Sequence, residues 1–361
     1  MKKHILITGA GGPAAIGFTR SLLECEDMYP IGVDCDKFML QGAETHLKFL
    51  VPKANDPSYV PVMKDIVREH NIVFIHAQPD VEIPILQENF PDRVFLPNKK
   101  TIQICQDKFQ SYELWRKAFL SVPETIMLDE PDDIRRAFGR FGSPIWIRAI
   151  KGAAGNKSFP AKTIEMAVAW LNHYEGWGKF SAAEYLMGVD GKWGRTSVTW
   201  TSLWKDGELV VAQGRERLTW AYADRAPSGI TGLTGIGKTV SDAIVDSIAV
   251  RAIKAIDEKP HGIFSVDLTE DKDGTPCPTE INIGRFFTTH QFFTEAGLNM
   301  PEIYVRVGLG EDMLLPAVRV NPLPTDLYWI RSIDREPVLV KHKMLVATEK
   351  ALAERLARIK A

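Results

Sequence analysis

Two acidic residues and one asparagine in the C-terminal half of the sequence have the spacing of a metal site. Asp267 directly follows residues 262–266, whose apolar run is typical of a buried strand. Glu280 and Asn282 lie on the next predicted strand, where residues two apart share one face. A turn near Gly274 places Asp267 beside them. Such oxygen ligands suit Mg²⁺ that bridges phosphate oxygens; the alternative is a charged hairpin face in solvent, where paired like charges are unfavourable.

Several further residues are candidate substrate contacts. Arg215 and Arg217 alternate along a predicted strand, so their guanidinium groups share a face and could clamp a substrate carboxylate; ordinary surface charge is the alternative. Ser228 and Gly229 belong to a segment that we interpret as a substrate loop, because such loops often carry function. His290 follows the predicted metal ligands and is a further candidate, although a single histidine is more often structural.

A glycine turn near the N-terminus offers a competing nucleotide site. Residues 9–13 connect a short apolar strand to a predicted helix, and Asp34 closes the next strand. In dinucleotide-binding proteins such a turn lies against the pyrophosphate and the acid holds a ribose. The pattern therefore allows NAD(P) binding. The alternative is a turn that any Rossmann-like domain needs to connect its first strand to its first helix.

A second glycine-rich segment formally matches a phosphate-binding loop. Residues 232–239 fit the pattern G-x-x-x-x-G-K-[ST], which must connect a buried strand to a helix. The preceding residues 224–229 contain proline and glycine, which are atypical of a buried strand. We therefore interpret residues 232–239 as a flexible substrate loop that leads into an amphipathic helix over residues 240–256.

Hydrophobic patterning predicts an α/β protein in which strand and helix signals first alternate. Over residues 1–100 this alternation is typical of a parallel, Rossmann-like sheet with right-handed crossovers. Pro97-Asn98 marks a boundary, after which helices surround a strand at residues 145–148. From residue 181 strands dominate, which indicates an α+β organisation. An amphipathic helix is predicted at residues 348–360.

Composition excludes several classes of protein. The chain has 361 residues and a formal net charge of -2, which argues against a dedicated nucleic-acid binder. Its four cysteines form no C-x-x-C pair and fit a reducing compartment. No apolar stretch approaches a membrane span, so we expect a cytoplasmic protein with small-molecule partners, no nucleic-acid or membrane partner, and an organisation compatible with a homodimer.

The sequence resembles the ATP-grasp superfamily, and most of all the ATP-binding half of the carbamoyl-phosphate synthase large subunit and related carboxylate–amine ligases. The resemblance covers roughly residues 1–310. It depends on the Rossmann-like start and on four motifs, which are Asp107-Lys108, residues 147–158, Glu184-Tyr185-Leu186, and Asp267 with residues 280–285. It implies a pre-ATP-grasp domain (residues 1–100), a small lobe with a phosphate lid (101–180), a large lobe with the metal and substrate site (181–320), and a C-terminal extension (321–361).

The resemblance also implies a role for individual residues. Lys108 and Arg148 match the basic residues that contact the ATP phosphates, and Arg285 matches an arginine near the transferred phosphate; Arg148 and Arg285 would serve catalysis. The lid would contribute Lys151, Gly152, Gly155 and Ser158. The nucleoside would be held by Glu184, Tyr185, Leu186 and, at the ribose, Asp190. Asp267, Glu280 and Asn282 match the ligands of Mg²⁺ or Mn²⁺.

The chemistry that follows is activation of a carboxylate. Transfer of the γ-phosphoryl group of ATP makes an acyl phosphate, which an amine attacks to form a C–N bond with release of ADP and phosphate. Positioning and charge neutralisation supply this catalysis, and a closing lid excludes water. The alternatives are a nucleotide-binding protein without ligase activity and an NAD(P)-dependent enzyme that uses the N-terminal glycine turn.

Overall fold

The computed structural model describes residues 2–152, 157–186, 197–223, 233–332, 335–344, 346, 347 and 350. One parallel and two antiparallel sheets pack against helices, so the predicted α/β class with an α+β C-terminal part is confirmed. The strands are β1 (Lys3–Thr8), β2 (Met28–Asp34), β3 (Leu47–Leu50), β4 (Ile72–His76), β5 (Thr125–Met127), β6 (Ile145–Ala149), β7 (Phe159–Ala161), β8 (Phe180–Glu184), β9 (Val198–Lys205), β10 (Glu208–Trp220), β11 (Thr234–Val240), β12 (Gly262–Glu270), β13 (Pro276–Ile283), β14 (Leu327–Ser332) and β15 (Arg335–Lys341). The helices are α1 (Pro13–Leu23), α2 (Lys37–Gln41), α3 (Tyr59–Glu69), α4 (Ile83–Asn89), α5 (Lys99–Cys105), α6 (Lys108–Lys117), α7 (Pro131–Phe141), α8 (Ile164–His173), α9 (Ala243–Ile256), α10 (Gln291–Glu295) and α11 (Met300–Gly308), with a short 3₁₀ helix at Pro91–Arg93.

The N-terminal sheet is parallel and has the order β3-β2-β1-β4. Ile5, Leu6 and Ile7 of β1 are all fully buried, as expected for a parallel strand covered on both faces. The predicted alternation of strand and helix is confirmed. The strand β3 and the helix α2 were not predicted, because elements of four and five residues carry too little periodicity.

The glycine turn between β1 and α1 is closed by groups of the chain itself. The Gly11 N–H donates to Asp34 Oδ2 at 3.1 Å, and Asp34 Oδ1 accepts from the Asp36 N–H at 2.9 Å. The Met39 carbonyl oxygen lies 1.9 Å from the position that a Gly11 Cβ would occupy, so only glycine fits there. The acid that would hold a ribose in a dinucleotide site therefore caps this turn instead.

The second sheet is antiparallel, has the order β5-β8-β6-β7, and packs against α7 and α8. Pro131 begins α7 after a capping box formed by Glu130 and Asp133, which satisfies the first N–H groups of the helix. Ile145 and Ile147 of β6 are fully buried against this helical layer. Because side chains alternate along a strand, Arg148 lies on the opposite face, away from this core.

The third sheet is antiparallel and has the order β13-β12-β9-β10-β11-β14-β15. Its register aligns side chains from four strands in one row. Asp267 pairs with Glu280 on one side and with Thr199 on the other, and Thr199 pairs with Arg215. Directly opposed residues of neighbouring strands point to the same face, so the predicted metal ligands and the predicted substrate arginines share a face of this sheet.

The interpretation of residues 232–239 as a flexible loop is wrong over the part that the structure describes. Residues 234–240 form β11, which pairs with β10 and β14, and the following helix α9 begins at Ala243. The strand can be rich in glycine because the β10 side chains fill the space: Arg215 Cδ lies 3.2 Å from the position of a Gly237 Cβ. The strands β14 and β15 then extend the same sheet.

Helices α6 and α9 pack together and support the edge of the large sheet. Asp242 caps α9 by accepting from the Ile244 and Val245 N–H groups at 2.8 and 3.3 Å. The buried Trp115 of α6 donates from its ring N–H to the Ala252 carbonyl at 2.9 Å. This contact fixes α6, at whose first position Lys108 lies.

None of the helices in the described part of the chain combines the length and the apolar character needed to cross a membrane. The predicted helix at residues 348–360 lies almost entirely outside the described residues.

Candidate active site

Lys108 links the small antiparallel sheet to the large one. Asp107 caps α6 by accepting from backbone N–H groups, and the Lys108 N–H donates to the Ile150 carbonyl at 2.9 Å, just after β6. The ammonium group lies 3.2 Å from Glu280 Oε1 and donates to the Gly152 carbonyl. Lys108 therefore touches the start of the predicted lid and a predicted metal ligand at once.

Arg148 reaches the same place from β6. Its Nη1 donates to the Thr279 carbonyl at 2.7 Å, and its buried Nε has no hydrogen-bond partner among the residues that the structure describes. Burial lowers the pKa of the Arg148 guanidinium, and the Glu280 charge opposes this shift. Burial by itself would raise the pKa of Glu280, but the nearby cations, above all Lys108 and Arg148, outweigh burial and lower it. The Glu280 carboxylate is therefore ionised, and it lies among cationic side chains that can donate further hydrogen bonds.

The three predicted metal ligands lie side by side. Asp267 Oδ1 accepts from the Thr199 hydroxyl at 2.5 Å, and Asp267 Oδ2 lies 3.5 Å from the Asn282 amide nitrogen. The described residues contain no cluster of three or more His, Cys, Asp or Glu side chains suited to a metal. Two carboxylates and an amide oxygen nevertheless fit Mg²⁺, which takes its remaining ligands from water and phosphate oxygens.

Arg285 is held by a residue that sequence reasoning missed. Asp80, in the loop after β4, forms a bidentate ion pair with it: Nε donates to Oδ1, and Nη2 lies 3.0 Å from Oδ2. Arg285 Nη2 also donates to Asn282 Oδ1 at 2.9 Å. A second contact between the same two segments runs from the Gln78 amide to the Phe286 carbonyl at 3.2 Å. The position of Asp80 could have indicated a functional role, because ligands bind at the carboxyl ends of parallel strands, and Asp80 follows such a strand.

The predicted adenine-binding segment lies where β8 ends. Glu184 pairs with Ile145, its backbone N–H donates to the Glu124 carbonyl at 2.9 Å, and its side chain is exposed. Tyr185 is partly buried, which raises the pKa of its hydroxyl to about 12, and Leu186 is buried. The segment therefore follows an interior strand of the small antiparallel sheet, and its nucleoside-binding role stays a prediction.

The predicted lid is described only at its two ends. Lys151 and Gly152 are exposed after β6, and Ser158 is partly buried before β7. Gly155, Asp190, Ser228 and Gly229 lie outside the described residues, so their predicted roles stay predictions.

Arg215 and Arg217 lie beside the metal ligands, on the row described above. Arg215 is 1% exposed, and its three hydrogen bonds go to the hydroxyls of Thr199, Thr234 and Thr289. Arg217 lies with Nη2 4.0 Å from Asp267 Oδ1. Ordinary surface charge is therefore the wrong interpretation of these two arginines, because both are largely buried against the site.

His290 is buried and, among the described residues, forms no hydrogen bond or ion pair with the other predicted site residues. It is 1% exposed, its Nδ1 is 2.7 Å from the Phe287 carbonyl, and its ring packs against Phe18 and Phe286. Burial lowers the pKa of the imidazole to about 4, so it is neutral at pH 7. The structure places it in an aromatic layer between α1 and the segment after β13.

The sequence was compared with protein families and with known proteins. No family model matches the sequence. In sequence, the chain is 23% identical over 212 residues to a D-alanine–D-alanine ligase of Nitrosospira multiformis; the match spans 56% of this chain and 66% of that ligase.

Two solved structures cover nearly the whole chain. The biotin carboxylase domain of the Hydrogenobacter thermophilus 2-oxoglutarate carboxylase, solved with MgADP and bicarbonate, superposes with a TM-score of 0.67 at 16% identity, covering 91% of this chain and 74% of that one. N5-carboxyaminoimidazole synthetase of Staphylococcus aureus, solved with ADP, gives a TM-score of 0.67 at 15% identity, covering 92% and 83%. The chain therefore shares its overall fold with these two nucleotide-binding enzymes.

Proposed function

We propose that this protein is an ATP- and Mg²⁺-dependent ligase, which activates a carboxylate as an acyl phosphate for attack by an amine and releases ADP. One observation carries the proposal: Lys108, Arg148 and Arg285 converge from three parts of the fold on residues 279–282 of β13, which carry Glu280 and Asn282 beside Asp267. Phosphoryl transfer needs this combination of cations and metal-binding oxygens around a phosphate chain.

Each residue group has a distinct task in this proposal. Lys108 and Arg148 bind the ATP phosphates, and Arg285 neutralises charge on the group in transfer, so that both arginines are catalytic. Asp267, Glu280 and Asn282 hold Mg²⁺ or Mn²⁺, which supplies further neutralisation of the phosphate charge. Lys151, Gly152, Gly155 and Ser158 cover the phosphates and exclude water, because acyl phosphates hydrolyse readily. Glu184, Tyr185, Leu186 and Asp190 hold the nucleoside.

The same proposal covers the domain division and the partners. Residues 1–100, 101–180 and 181–320 would act as the pre-ATP-grasp domain, small lobe and large lobe, and residues 321–361 as an extension. The relatives support nucleotide and carboxylate partners, since one is a ligase that joins amino acids and another was solved with MgADP and bicarbonate.

Product analysis tests the reaction type. With ATP, Mg²⁺ and a panel of carboxylic and amino acids, we expect acid-dependent release of ADP and phosphate in equal amounts, measured by chromatography and a phosphate assay. AMP and pyrophosphate would instead indicate an adenylate and contradict the acyl-phosphate mechanism. Release of ADP and phosphate at a rate independent of every acid and amine would favour the alternative without ligase activity.

Thermal shifts test the NAD(P) alternative. Because the donors and space of the glycine turn are occupied by Asp34 and Met39, we expect ATP with Mg²⁺ to raise the melting temperature and NAD⁺ or NADP⁺ to leave it unchanged. A ligand at about 100 times its Kd adds about 2.7 kcal/mol of stability, which is readily measured. Stabilisation by NAD(P) alone would favour the alternative.

A further inference from the structure

Beside the proposed phosphate and metal site lies a cluster of three arginines, of which Arg215 is buried and Arg217 and Arg331 are partly buried. Arg215 is fully enclosed, and its partners are hydroxyl groups rather than acids. Its Nε is buried without a hydrogen-bond partner in the described ranges, and its guanidinium carbon lies 4.6 Å from the centre of the Phe287 ring. Among the described residues no carboxylate lies within ion-pair distance of it.

Arg217 is held by a ring contact and by hydrogen bonds that use only part of its guanidinium group. Its guanidinium stacks on Trp220 with 3.7 Å between the guanidinium carbon and the ring centre. Nε donates to the Thr234 hydroxyl at 3.1 Å and Nη1 donates to the Ser197 hydroxyl, whereas Nη2 lies 4.0 Å from Asp267 Oδ1. With a side chain 10% exposed, Arg217 presents this remaining donor group beside the metal ligands.

Arg331 completes the cluster from β14. Sequence reasoning missed it, because it lies far along the chain from the motifs that carry the resemblance. Its Nη1 donates to the Thr288 carbonyl at 3.3 Å, and within the part of the chain that the structure describes no carboxylate forms an ion pair with it. Burial lowers the pKa of Arg331, and burial together with the nearby charges of Arg217 and Arg331 lowers that of Arg215.

The three arginines of the cluster outnumber the acidic side chains near them in the described part of the chain. Within the described residues, Asp267 alone comes within ion-pair distance of any of the three guanidinium groups. That carboxylate is already a proposed metal ligand. Buried cations of a stable protein are paired, and truncating one partner of such a pair is strongly destabilising. An anionic group of the substrate would supply the partner that these arginines lack among the described residues.

We infer that the acid substrate carries a second anionic group, which binds the Arg215–Arg217–Arg331 cluster while its reacting carboxylate lies near Arg285. This inference rests on the proposed function in one respect: it takes the acid that binds here to be the substrate. The second group is a carboxylate or a phosphate, because both accept bidentate hydrogen bonds from guanidinium groups. The substrate class is thus a diacid rather than a simple monocarboxylic acid.

Calorimetric titration of the protein saturated with MgADP tests this inference without turnover. The probes share one chain length: butyrate, succinate and 3-phosphonopropionate. We expect at least one of the two diacids to bind roughly 10- to 100-fold more tightly than butyrate, as charged hydrogen bonds predict. Arg331→Gln should remove most of that preference and Arg331→Lys should retain part of it. Arg251→Gln, which removes an exposed arginine on α9, should leave the preference unchanged.

The outcomes separate this inference from the proposed function. Tighter succinate binding would identify a carboxylate as the second group, and tighter phosphonopropionate binding a phosphate. Equal affinity for all three acids, no binding of any of them, or an unchanged preference in folded Arg331→Gln would overturn the inference. A protein that binds a diacid through Arg331 but releases no phosphate from ATP with any acid would contradict the proposed function alone.

Discussion

Replacing Glu280 by glutamine should lower acid-dependent turnover of ATP by roughly 100- to 1,000-fold, the range seen when one charge-stabilising group is removed from an active site. Glu280 lies opposite Asp267 on the neighbouring strand and 3.2 Å from the Lys108 ammonium. The amide keeps the shape of the side chain but cannot offer an anionic ligand to Mg²⁺. Steady-state kinetics with phosphate release as the readout measures this effect.

Nucleotide binding without metal distinguishes a metal ligand from a structural acid. Because Lys108 and Arg148 remain, Glu280→Gln should bind ATP as well as the wild type in the presence of a chelator, and should lose the increase in affinity that Mg²⁺ gives. Glu208→Gln, an exposed change on β10 of the same sheet, is the matched control and should retain full activity. Wild-type turnover in a folded Glu280→Gln variant would remove the metal-site assignment.

Breaking the ion pair between Asp80 and Arg285 should lower turnover nearly as much as the Glu280→Gln change. Arg285→Lys should lower kcat roughly 100- to 1,000-fold, since a lysine cannot reproduce the bidentate geometry. Asp80→Asn should lower kcat roughly 10- to 100-fold, as expected for loss of a group that orients a functional side chain. The KM for ATP should change little in either variant, because the proposed role of Arg285 concerns the group in transfer rather than the bound nucleotide.

A double-mutant cycle shows whether Asp80 acts through Arg285. If it does, the double variant should be little worse than Arg285→Lys, with an interaction energy of about 1–3 kcal/mol in the barrier. Asp80→Glu should restore part of the activity. Asp65→Asn, which removes an exposed acid paired with Arg68 on α3, is the control and should have no effect. Additive losses, or a drop in thermal stability that accounts for the whole effect, would make Asp80 merely structural.

The elements that carry the site could be predicted because their signals are local. The strand and acid at Asp267 and the two-residue spacing of Glu280 and Asn282 are properties of short stretches of sequence. The helix that begins at Lys108 and the strand that carries Arg148 were likewise predicted with nearly their observed bounds. The ATP-grasp resemblance is confirmed at the level of the fold.

Other features depended on contacts between distant segments. The glycines of residues 232–239 predict a loop, yet residues 234–240 form a strand whose pairing with β10 and β14 outweighs weak local propensity. Asp80 and Arg285 are 205 residues apart, so no periodicity links them. Arg331 belongs to a strand near the C-terminal end of the described residues, where no motif drew attention to it.

The sequence by itself determined which chemistry the chain can support. It supplied hard oxygen ligands, cations suited to a phosphate chain, and the alternation of strand and helix that builds the N-terminal parallel sheet. Only the tertiary structure decided how the residues combine: sheet register placed Asp267, Glu280 and Arg215 in one row, and packing of the loop after β4 brought Asp80 to Arg285. Local patterns set each element through short-range geometry, whereas side-chain partners across the fold are set by packing that no short window of sequence encodes.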